Sequence, residues 1–403
     1  MDKELRHLLS AAILVLLMTC MPVAAQTKRV KPSAATRVSL ITILPGRSLY
    51  SAFGHSAIRV LEPDTGSDVL YNYGLSARPF DFRFALGMLV GQMEFMVAVL
   101  DTKTAFRFYS EEENRTIIEQ ELQLDGDTTS ALIIRLERDI RPENRVYRYR
   151  YFTDNCATRI WELLAPLLIR GSLDSKVPHT SSLRDTIHEA LKGNPWLGAG
   201  LDIALGPVTD RPHLGEAPIF LPQQLMQAAA MATTENGEEK RNFVTSTILL
   251  YKSTRATGQE LRLESIAAGI AILLTSSAFL LTALRRGVLA FDSVFFAGIA
   301  VVGLFIFMFW VVAGYPEAGL NLNLLWANPL PLITILRRIS KQPAKTSARI
   351  LFIVAGANCI LAVSGGWEIQ TVPLEARLIS ASVALRCLHR ARLLKHVKID
   401  LTM

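Results

Sequence analysis

Cysteine is scarce in this chain, which has four in 403 residues. Cys20 lies in an apolar N-terminal stretch, and Cys359 and Cys387 lie in apolar stretches of the C-terminal third. Cys156 is left in the polar region between them, with no partner thiol nearby in sequence. A disulfide framework is therefore excluded, because exported folds of that kind need several closely spaced cysteines.

Metal-ligand spacings and phosphate-binding loops are missing as well. His179, His188 and His213 lie in a polar region rich in proline and glycine, without the short spacings that metal sites use. The sequence has no glycine-rich phosphate loop and no internal repeat. We therefore expect neither a metal nor a cofactor.

Positive charge is unevenly distributed along the chain. Residues 26–260 hold 27 Lys and Arg against 28 Asp and Glu, whereas residues 261–403 hold 14 against 6. The net charge of +7 therefore belongs to the C-terminal part. Its basic residues flank apolar runs, which is typical of cytoplasmic loops of membrane proteins and not of a nucleic-acid-binding stripe. We expect a membrane partner and no nucleic acid.

The N-terminus has the pattern of a secretory signal peptide. Lys3 and Arg6 precede an apolar run, and Val23-Ala24-Ala25 supplies a cleavage site before residue 26. Residues 1–25 are thus predicted to be a signal peptide, and residues 26–260 an exported, periplasmic domain.

Residues 261–403 contain five apolar stretches and are predicted to form a membrane domain with about five transmembrane helices. The stretches run from Ser265 to Leu284, Val288 to Ala313, Leu324 to Leu336, Ile350 to Gly366 and Leu378 to Leu388. Five crossings place the basic clusters on one side, which predicts a multi-pass protein of the bacterial inner membrane. The third and fifth stretches are short, so a re-entrant segment or an interfacial helix stays open for each.

Two short β-type runs around residues 57–61 and 68–73 predict a hairpin in the exported domain. If Leu61 pairs with Asp68, His55 lies opposite Gly74 and Asn72 lies on the same face, one pair along. A register slip of one residue would bring Tyr71 or Tyr73 there instead. Further along, residues 183–191 and 221–251 are predicted to be mainly helical, the latter interrupted near Asn236-Gly237.

Cys156 lies at the predicted start of a helix. Thr153, Asp154 and Asn155 all favour an N-cap position, and the following residues to Leu164 form an amphipathic pattern. A helix N-terminus lowers a thiol pKa, and a thiolate paired with an imidazole attacks carbonyl groups. A buried, unreactive thiol is the alternative interpretation.

Several segments together resemble one bacterial enzyme family. They are Tyr50 to Val60 (YSAFGHSAIRV), Val69 to Gly74 (VLYNYG), Pro142 to Tyr147 (PENRVY), Asp154 to Arg159 (DNCATR) and Asn321 to Leu330 (NLNLLWANPL). A histidine in a hairpin followed about a hundred residues later by Asn-Cys resembles the permuted papain-like order of lecithin:retinol-acyltransferase-type enzymes. The whole set is similar to the Lnb-type lipoprotein N-acyltransferases.

The resemblance implies an α+β fold, with a circularly permuted papain-like domain followed by an all-α transmembrane bundle. It also implies acyl transfer from a phospholipid to the α-amino group of a diacylated apolipoprotein, with Cys156 as nucleophile and His55 as base. Asn72 as the residue that orients His55 follows from the hairpin register. The predicted substrate-binding residues are Tyr50, Ser51, Asn155, Arg159, Asn321, Asn323 and Trp326. The oligomeric state is not predicted.

Two other functions remain open on the sequence. The same thiolate would serve a membrane-anchored amidase or peptidase that acts on cell-envelope peptides. A non-enzymatic binding module with a simple anchor is the third reading. Five spans favour the lipid-using enzyme over both.

Overall fold

The computed structural model describes residues 33–78, 81–168, 182–212, 219–236, 239–254, 288–339, 345–364 and 369–396, together with single residues between 266 and 280. The chain divides into two compact units. The first holds residues 1–88, 92–179 and 214–257, and the second holds residues 89–91, 180–213 and 258–403. The predicted signal peptide and most of the first predicted span lie outside the described residues.

The first unit is built on an antiparallel sheet of seven strands in the order β6-β4-β3-β2-β1-β5-β9. The strands are β1 (Arg37–Ile43), β2 (His55–Glu62), β3 (Ser67–Ser76), β4 (Glu94–Asp101), β5 (Ile117–Leu122), β6 (Val146–Arg148) and β9 (Val244–Tyr251); β7 (Thr233–Asn236) and β8 (Glu239–Asn242) form a separate hairpin. Its helices are α1 (Phe82–Leu89), α2 (Thr102–Arg107), α3 (Gly126–Asp139), α4 (Cys156–Leu164) and α7 (Pro222–Met231).

Both faces of the sheet are covered near its centre. Alternate residues of the central strands, such as Ile58 and Tyr71, pack with Leu136 of α3 and Ile160 of α4 in the larger core. Their neighbours in sequence point to the other face, because successive strand side chains alternate. There, residues such as Ile41 and Ala57 pack with Tyr109 in a smaller core.

The predicted hairpin and its register are confirmed. Leu61 pairs with Asp68, and Ala57 pairs with Asn72, so the register is not slipped by one residue. The pairing between β3 and β4 shifts between Asn72 and Leu75, and Gly74 within this bulge has a φ of +85°. The bulge lies beside the start of β2, where His55 is found.

The prediction of a mainly helical segment from 221 to 251 is wrong beyond Met231. Only α7 is helical there, and the chain continues as β7, β8 and β9. Thr233 and Thr234 before Asn236-Gly237, and the β-branched residues in VTSTILLY, favour strands joined by a tight turn. The strand β9 completes one edge of the main sheet by pairing with β5.

The second unit is helical in its described residues. Its helices are α5 (Leu183–Ala190), α6 (Pro195–Ala204), α8 (Val288–Phe307), α9 (Asn323–Trp326), α10 (Leu330–Ile339), α11 (Lys345–Ser364) and α12 (Leu374–His396). Two segments of the described chain, Ala290–Val312 and Thr346–Ser364, are long and apolar enough to cross a membrane. The sheet-rich N-terminal part and helical C-terminal part agree with the predicted fold class, whereas the count of five spans stays a prediction.

The third and fifth predicted spans are not among the two described helices that are long and apolar enough to cross a membrane, and each has a structural reason. The third is broken into α9 and α10 near Pro329, which cannot continue a helix hydrogen-bond ladder. The fifth lies in α12, which carries several arginines. Arg386 and Arg390 of α12 form buried ion pairs with Asp292 of α8, at 2.7 and 3.1 Å.

Residues 182–212 belong to the second unit, although the sequence places them within residues 26–260. Arg184, which is 1% exposed, pairs with Asp202 and Asp210. The backbone N–H of Gly206 donates to the carbonyl of Glu317, at 2.7 Å. This segment is therefore packed among residues of the C-terminal part.

Candidate active site

Cys156 is the first residue of α4. Asn155 caps the helix, because its Oδ1 accepts hydrogen bonds from the N–H groups of Ala157 and Thr158, at 2.8 and 3.0 Å. The hydroxyl of Thr158 accepts from the Asn155 N–H in return, which completes a capping box. The Asn155 Nδ2 also donates to the carbonyls of Tyr151 and Phe220. The helix start that carries the thiol is thus rigidly held.

The Cys156 thiol is buried, with 7% of the residue exposed. Burial raises its pKa above the ordinary value, while backbone N–H groups of Ser56, Ala157 and Cys156 itself lower it less. The net direction is opposite to the one predicted from the helix N-terminus alone, because loss of hydration opposes the charged form. The sulfur accepts a hydrogen bond from the backbone N–H of Ser56, so it lies beside the residue that follows His55.

His55 begins β2 and is held by Asn72 of β3. The Nε2–H of His55 donates to Oδ1 of Asn72, at 2.7 Å. An amide oxygen only accepts, so this bond fixes the tautomer and leaves Nδ1 as the acceptor of a neutral imidazole. The hydroxyl of Tyr109 donates to the same Oδ1, at 3.3 Å. Burial lowers the pKa of His55 to about 4, although the bond to Asn72 raises it.

Two glycines shape the backbone around His55. Gly54 has a φ of +83°, and a Cβ there would lie 2.8 Å from the backbone oxygen of Ile43. Gly74 has a φ of +85°, and a Cβ there would lie 3.6 Å from the Cβ of Cys156. The absence of a side chain at Gly74 therefore leaves space beside the nucleophile.

A buried ion pair lies next to this cluster. Arg115, 3% exposed, donates to the carboxylate of Glu113 and to the backbone oxygen of Leu44, and its guanidinium lies 5.7 Å from the centre of the Tyr109 ring. Its positive charge lowers the pKa of both Cys156 and His55. Arg115 thus favours the thiolate and the neutral imidazole.

The other residues predicted in the first unit are engaged with the protein. The hydroxyl of Tyr50 bonds the carboxylate of Glu113, and burial followed by that bond raises the pKa of Tyr50 to about 12. The hydroxyl of Ser51 donates to the carbonyl of Ser48. Arg159 pairs with Asp154 and lies over a tyrosine ring of β6. Their roles in substrate binding stay predictions.

Asn321, Asn323 and Trp326 lie in the second unit and are buried. The Nδ2 groups of both asparagines donate to the carbonyl of Ile203, and that of Asn323 also donates to the carbonyl of Asp202. The indole N–H of Trp326 donates to Oδ1 of Asn323, at 2.8 Å. These polar groups hold residues 202–203, and their predicted binding of substrate stays a prediction.

Sequence reasoning missed several residues of this site. Tyr109 lies far from both motifs in sequence, and Tyr147 belongs to the segment Pro142 to Tyr147 but was assigned no role. What these residues have in common is a polar group buried beside the motif residues. A single sequence does not show which polar groups are buried. Within the described residues, no group of three or more His, Cys, Asp and Glu side chains is placed to hold a metal.

The arrangement has the components of nucleophilic acyl transfer. It provides a thiol at a helix N-terminus, a neutral imidazole with a free acceptor nitrogen, and an amide that orients the imidazole. The backbone N–H of Cys156 approaches the sulfur, so it lies near the carbonyl of an acyl group bound there.

Two family models of known proteins match parts of the chain. Residues 23–193 match the family model described as the Lnb N-terminal periplasmic domain. Residues 265–397 match the model described as the Lnb transmembrane domain. Neither a curated protein nor a solved structure matches the chain.

Proposed function

The chain belongs to the Lnb family and is a membrane protein with a periplasmic region, and from this premise we propose that it is a lipoprotein N-acyltransferase. It takes an acyl chain from a phospholipid and transfers it to the α-amino group of the N-terminal cysteine of a diacylated lipoprotein. The protein is a multi-pass protein of the bacterial inner membrane, with the site in the periplasm and residues 26–260 forming a permuted papain-like domain.

The observation that carries the proposal is the cluster around Cys156. The thiol lies at the capped start of α4, its sulfur meets the backbone N–H next to His55, and His55 is oriented by Asn72. A thiol nucleophile, a base and an amide that orients the base are the parts of a papain-like acyl-transfer site. The transmembrane domain supports a lipid as the acyl donor.

In the first step the phospholipid ester is cleaved. Nδ1 of His55 takes the thiol proton of Cys156, and the sulfur attacks the ester carbonyl carbon to form a tetrahedral intermediate. The C–O bond of the ester then breaks, and the departing alkoxide receives the proton from His55. The products are a lysophospholipid and a thioester on Cys156.

In the second step the lipoprotein amine attacks the thioester carbonyl carbon. His55 accepts a proton from the amine nitrogen as the C–N bond forms. The C–S bond then breaks, and the proton on His55 returns to the sulfur. The lipoprotein leaves with an amide-linked third chain, and the thiol is restored.

Both steps pass through an oxyanion. The N–H group of Cys156 at the start of α4 donates to it in this mechanism, and the helix dipole adds favourable potential. Tyr50, Ser51, Asn155 and Arg159 contribute by holding the loop and helix start around the site.

Mass spectrometry of a reporter lipoprotein tests this function. Cells carry either the native chain or Cys156→Ala as their one source of lipoprotein N-acyltransferase, and the N-terminal peptide is analysed. We expect an amide-linked third acyl chain with the native chain and a diacylated peptide with the variant.

Equal amounts of both proteins in the membrane are the control. Triacylated peptide in the Cys156→Ala cells would show that the thiol is not the nucleophile. Diacylated peptide in both cell lines would instead favour an amidase or peptidase acting on cell-envelope peptides.

A further inference from the structure

Three polar side-chain atoms around the site are buried without a hydrogen-bond partner in the described part of the chain. They are Nδ2 of Asn72, the hydroxyl of Ser56 and the hydroxyl of Tyr147. A buried hydroxyl without a partner costs folding free energy, so it calls for an explanation. Tyr147 is 7% exposed.

The position of the hydroxyl follows from the space beside Gly74. A Cβ at Gly74 would lie 3.5 Å from the Tyr147 hydroxyl oxygen and 3.6 Å from the Cβ of Cys156. The two atoms therefore lie within about 7 Å of each other, across a space that the missing glycine side chain leaves open. An acyl oxygen in a Cys156 thioester is two bonds from the sulfur, so it fits within this span.

The Tyr147 ring is fixed from two sides. Its backbone pairs with Phe95 across β6 and β4. The guanidinium of Arg159 lies 3.5 Å from the ring centre, and Arg159 is itself held by the carboxylate of Asp154, with one contact of 3.0 Å. Asp154 and Arg159 flank Cys156 in sequence, so the residues that clamp the ring also belong to the segment that carries the thiol.

The phenol stays neutral and is a donor. Burial raises the pKa of Tyr147 well above its ordinary value, the nearby Cys156 raises it further, and Arg159 lowers it. A neutral phenol cannot take a proton from the thiol, but it can donate a hydrogen bond to an oxygen that gains negative charge.

We propose that the Tyr147 hydroxyl is a donor of the oxyanion hole and binds the acyl oxygen on Cys156. The proposal rests on the proposed function, since it needs an acyl group on that sulfur. As the S–C bond forms, the carbonyl electrons move onto oxygen, and the Tyr147 hydroxyl donates to that oxygen while its own O–H bond stays intact. As the tetrahedral intermediate collapses, the charge returns and the bond weakens.

Tyr147→Phe in the full-length protein tests the proposal with two reagents. Acylation of Cys156 by 4-nitrophenyl octanoate passes through an oxyanion, whereas alkylation by iodoacetamide does not. We expect acylation to slow by about 10²-fold, the size found for loss of one oxyanion donor. We expect the alkylation rate to stay within about twofold, because the sulfur and His55 are unchanged.

Tyr71→Phe is the matched control. It also removes a buried tyrosine hydroxyl, the one bonded to Glu137 at 2.5 Å, and it leaves both reactions of Cys156 at the native rate. Tyr147→Phe removes a hydroxyl that has no partner among the described residues, so we expect the variant to unfold at or above the native temperature.

Each other outcome decides against the proposal in a different way. Equal acylation rates in Tyr147→Phe and the native chain overturn the donor role and leave the proposed function in place. Equal losses in acylation and alkylation overturn it too, because they show a distorted site. If the native chain never carries an octanoyl group on Cys156 and Cys156→Ala still acylates lipoprotein, both the donor role and the proposed function fall.

Discussion

At the scale of single residues, the site rests as a neutral pair. Burial raises the pKa of Cys156 and lowers that of His55 to about 4, so at neutral pH the thiol keeps its proton and the imidazole is neutral. In the proposed mechanism, proton transfer to His55 therefore accompanies attack by the sulfur. This differs from the preformed thiolate that the helix N-terminus alone would favour.

The pH dependence of alkylation follows from these directions. The pKa of His55 is about 4 in the folded chain against the ordinary 6.5, so His55 takes up a proton, and stops accepting one, only as the pH falls toward 4. We expect the rate of Cys156 alkylation by iodoacetamide to fall with a midpoint near 4. The unfolded chain binds that proton more readily, so the free energy of unfolding also decreases as the pH drops from 6.5 toward 4.

His55→Ala supplies the comparison. At pH 7 its alkylation is expected to be slower by about 10²-fold. The difference between the two rates narrows in strongly alkaline solution, where hydroxide removes the thiol proton in place of His55. A midpoint near 6.5 in the native chain would contradict the burial effect.

Asn72 and Tyr109 act through His55. Asn72→Ala removes the acceptor that fixes the imidazole tautomer, so we expect a loss of acylation on the order of 10²-fold with unchanged affinity for the acyl donor. Tyr109→Phe leaves the bond between His55 and Asn72 in place and removes only the longer 3.3 Å bond, so its loss should stay below about tenfold. Steady-state kinetics with 4-nitrophenyl octanoate measure the loss in both variants. A larger loss in Tyr109→Phe than in Asn72→Ala would contradict this prediction.

The sequence predicted those parts of the site that depend on residues close together in the chain. The N-cap before Cys156 and the hairpin register between His55 and Asn72 are set within a few residues or one tight pairing, and both were predicted. Tyr109 and Tyr147 reach the site through the packing of separate elements. A single sequence does not contain that packing in readable form.

At the scale of elements, the bulge at Gly74 is what brings α4 and the hairpin together. Its positive φ suits glycine, and its lack of a side chain leaves space at the thiol. Gly74→Ala is expected to lose about 1–2 kcal/mol in the free energy of unfolding through backbone strain. It should also lower the acylation rate by tenfold or more, because the new methyl group contacts Cys156 and the Tyr147 hydroxyl.

Gly66→Ala is the matched control for the bulge. Gly66 has a φ of +69° in the turn between β2 and β3, and a Cβ there meets nothing within 4 Å. It should show a similar loss of stability by thermal unfolding and native acylation. Equal losses of acylation rate in the two variants would mean that backbone strain, and not the filling of the space at Gly74, lowers the rate.

Secondary-structure elements were predicted correctly where the apolar residues recur with a single spacing, either that of a strand or that of a helix. The alternation in β2 and β3 and the amphipathic pattern of α4 gave the correct elements. Residues 233–251 were misassigned because the helical pattern of α7 was extended past Met231. The residue types of β9 favour a strand, and its pairing with β5 decides the outcome.

At the scale of the whole molecule, residues 182–212 are part of the helical unit, an assignment that the sequence did not predict. They are held by a set of amides more than a hundred residues later in the chain. Asn321 and Asn323 donate to Ile203 and Asp202, and Gln370 donates to Leu205. Contacts at this sequence separation have no local signal.

Asn323→Ala tests this packing in the full-length protein. The change removes the Asn323 side chain that bonds the buried indole of Trp326 and the carbonyl of Asp202, at a cost of about 1–3 kcal/mol per group. We expect proteases to cleave within residues 182–212 in the detergent-solubilised variant and not in the native chain. Asn328→Ala, whose Nδ2 bonds only the nearby carbonyl of Leu325 in the described chain, should remain resistant.

The alternation of the two units along the chain has a consequence for biosynthesis. Residues 182–212 leave the ribosome well before the helices at 288–396 to which they bind, and α7 and β9 of the first unit are made between the two. The segment is therefore without these partners until the last helices have been synthesised. Truncated or stalled chains carry the Cys156 thiol but not the finished packing of the second unit, so the complete fold appears only after synthesis of the C-terminal helices.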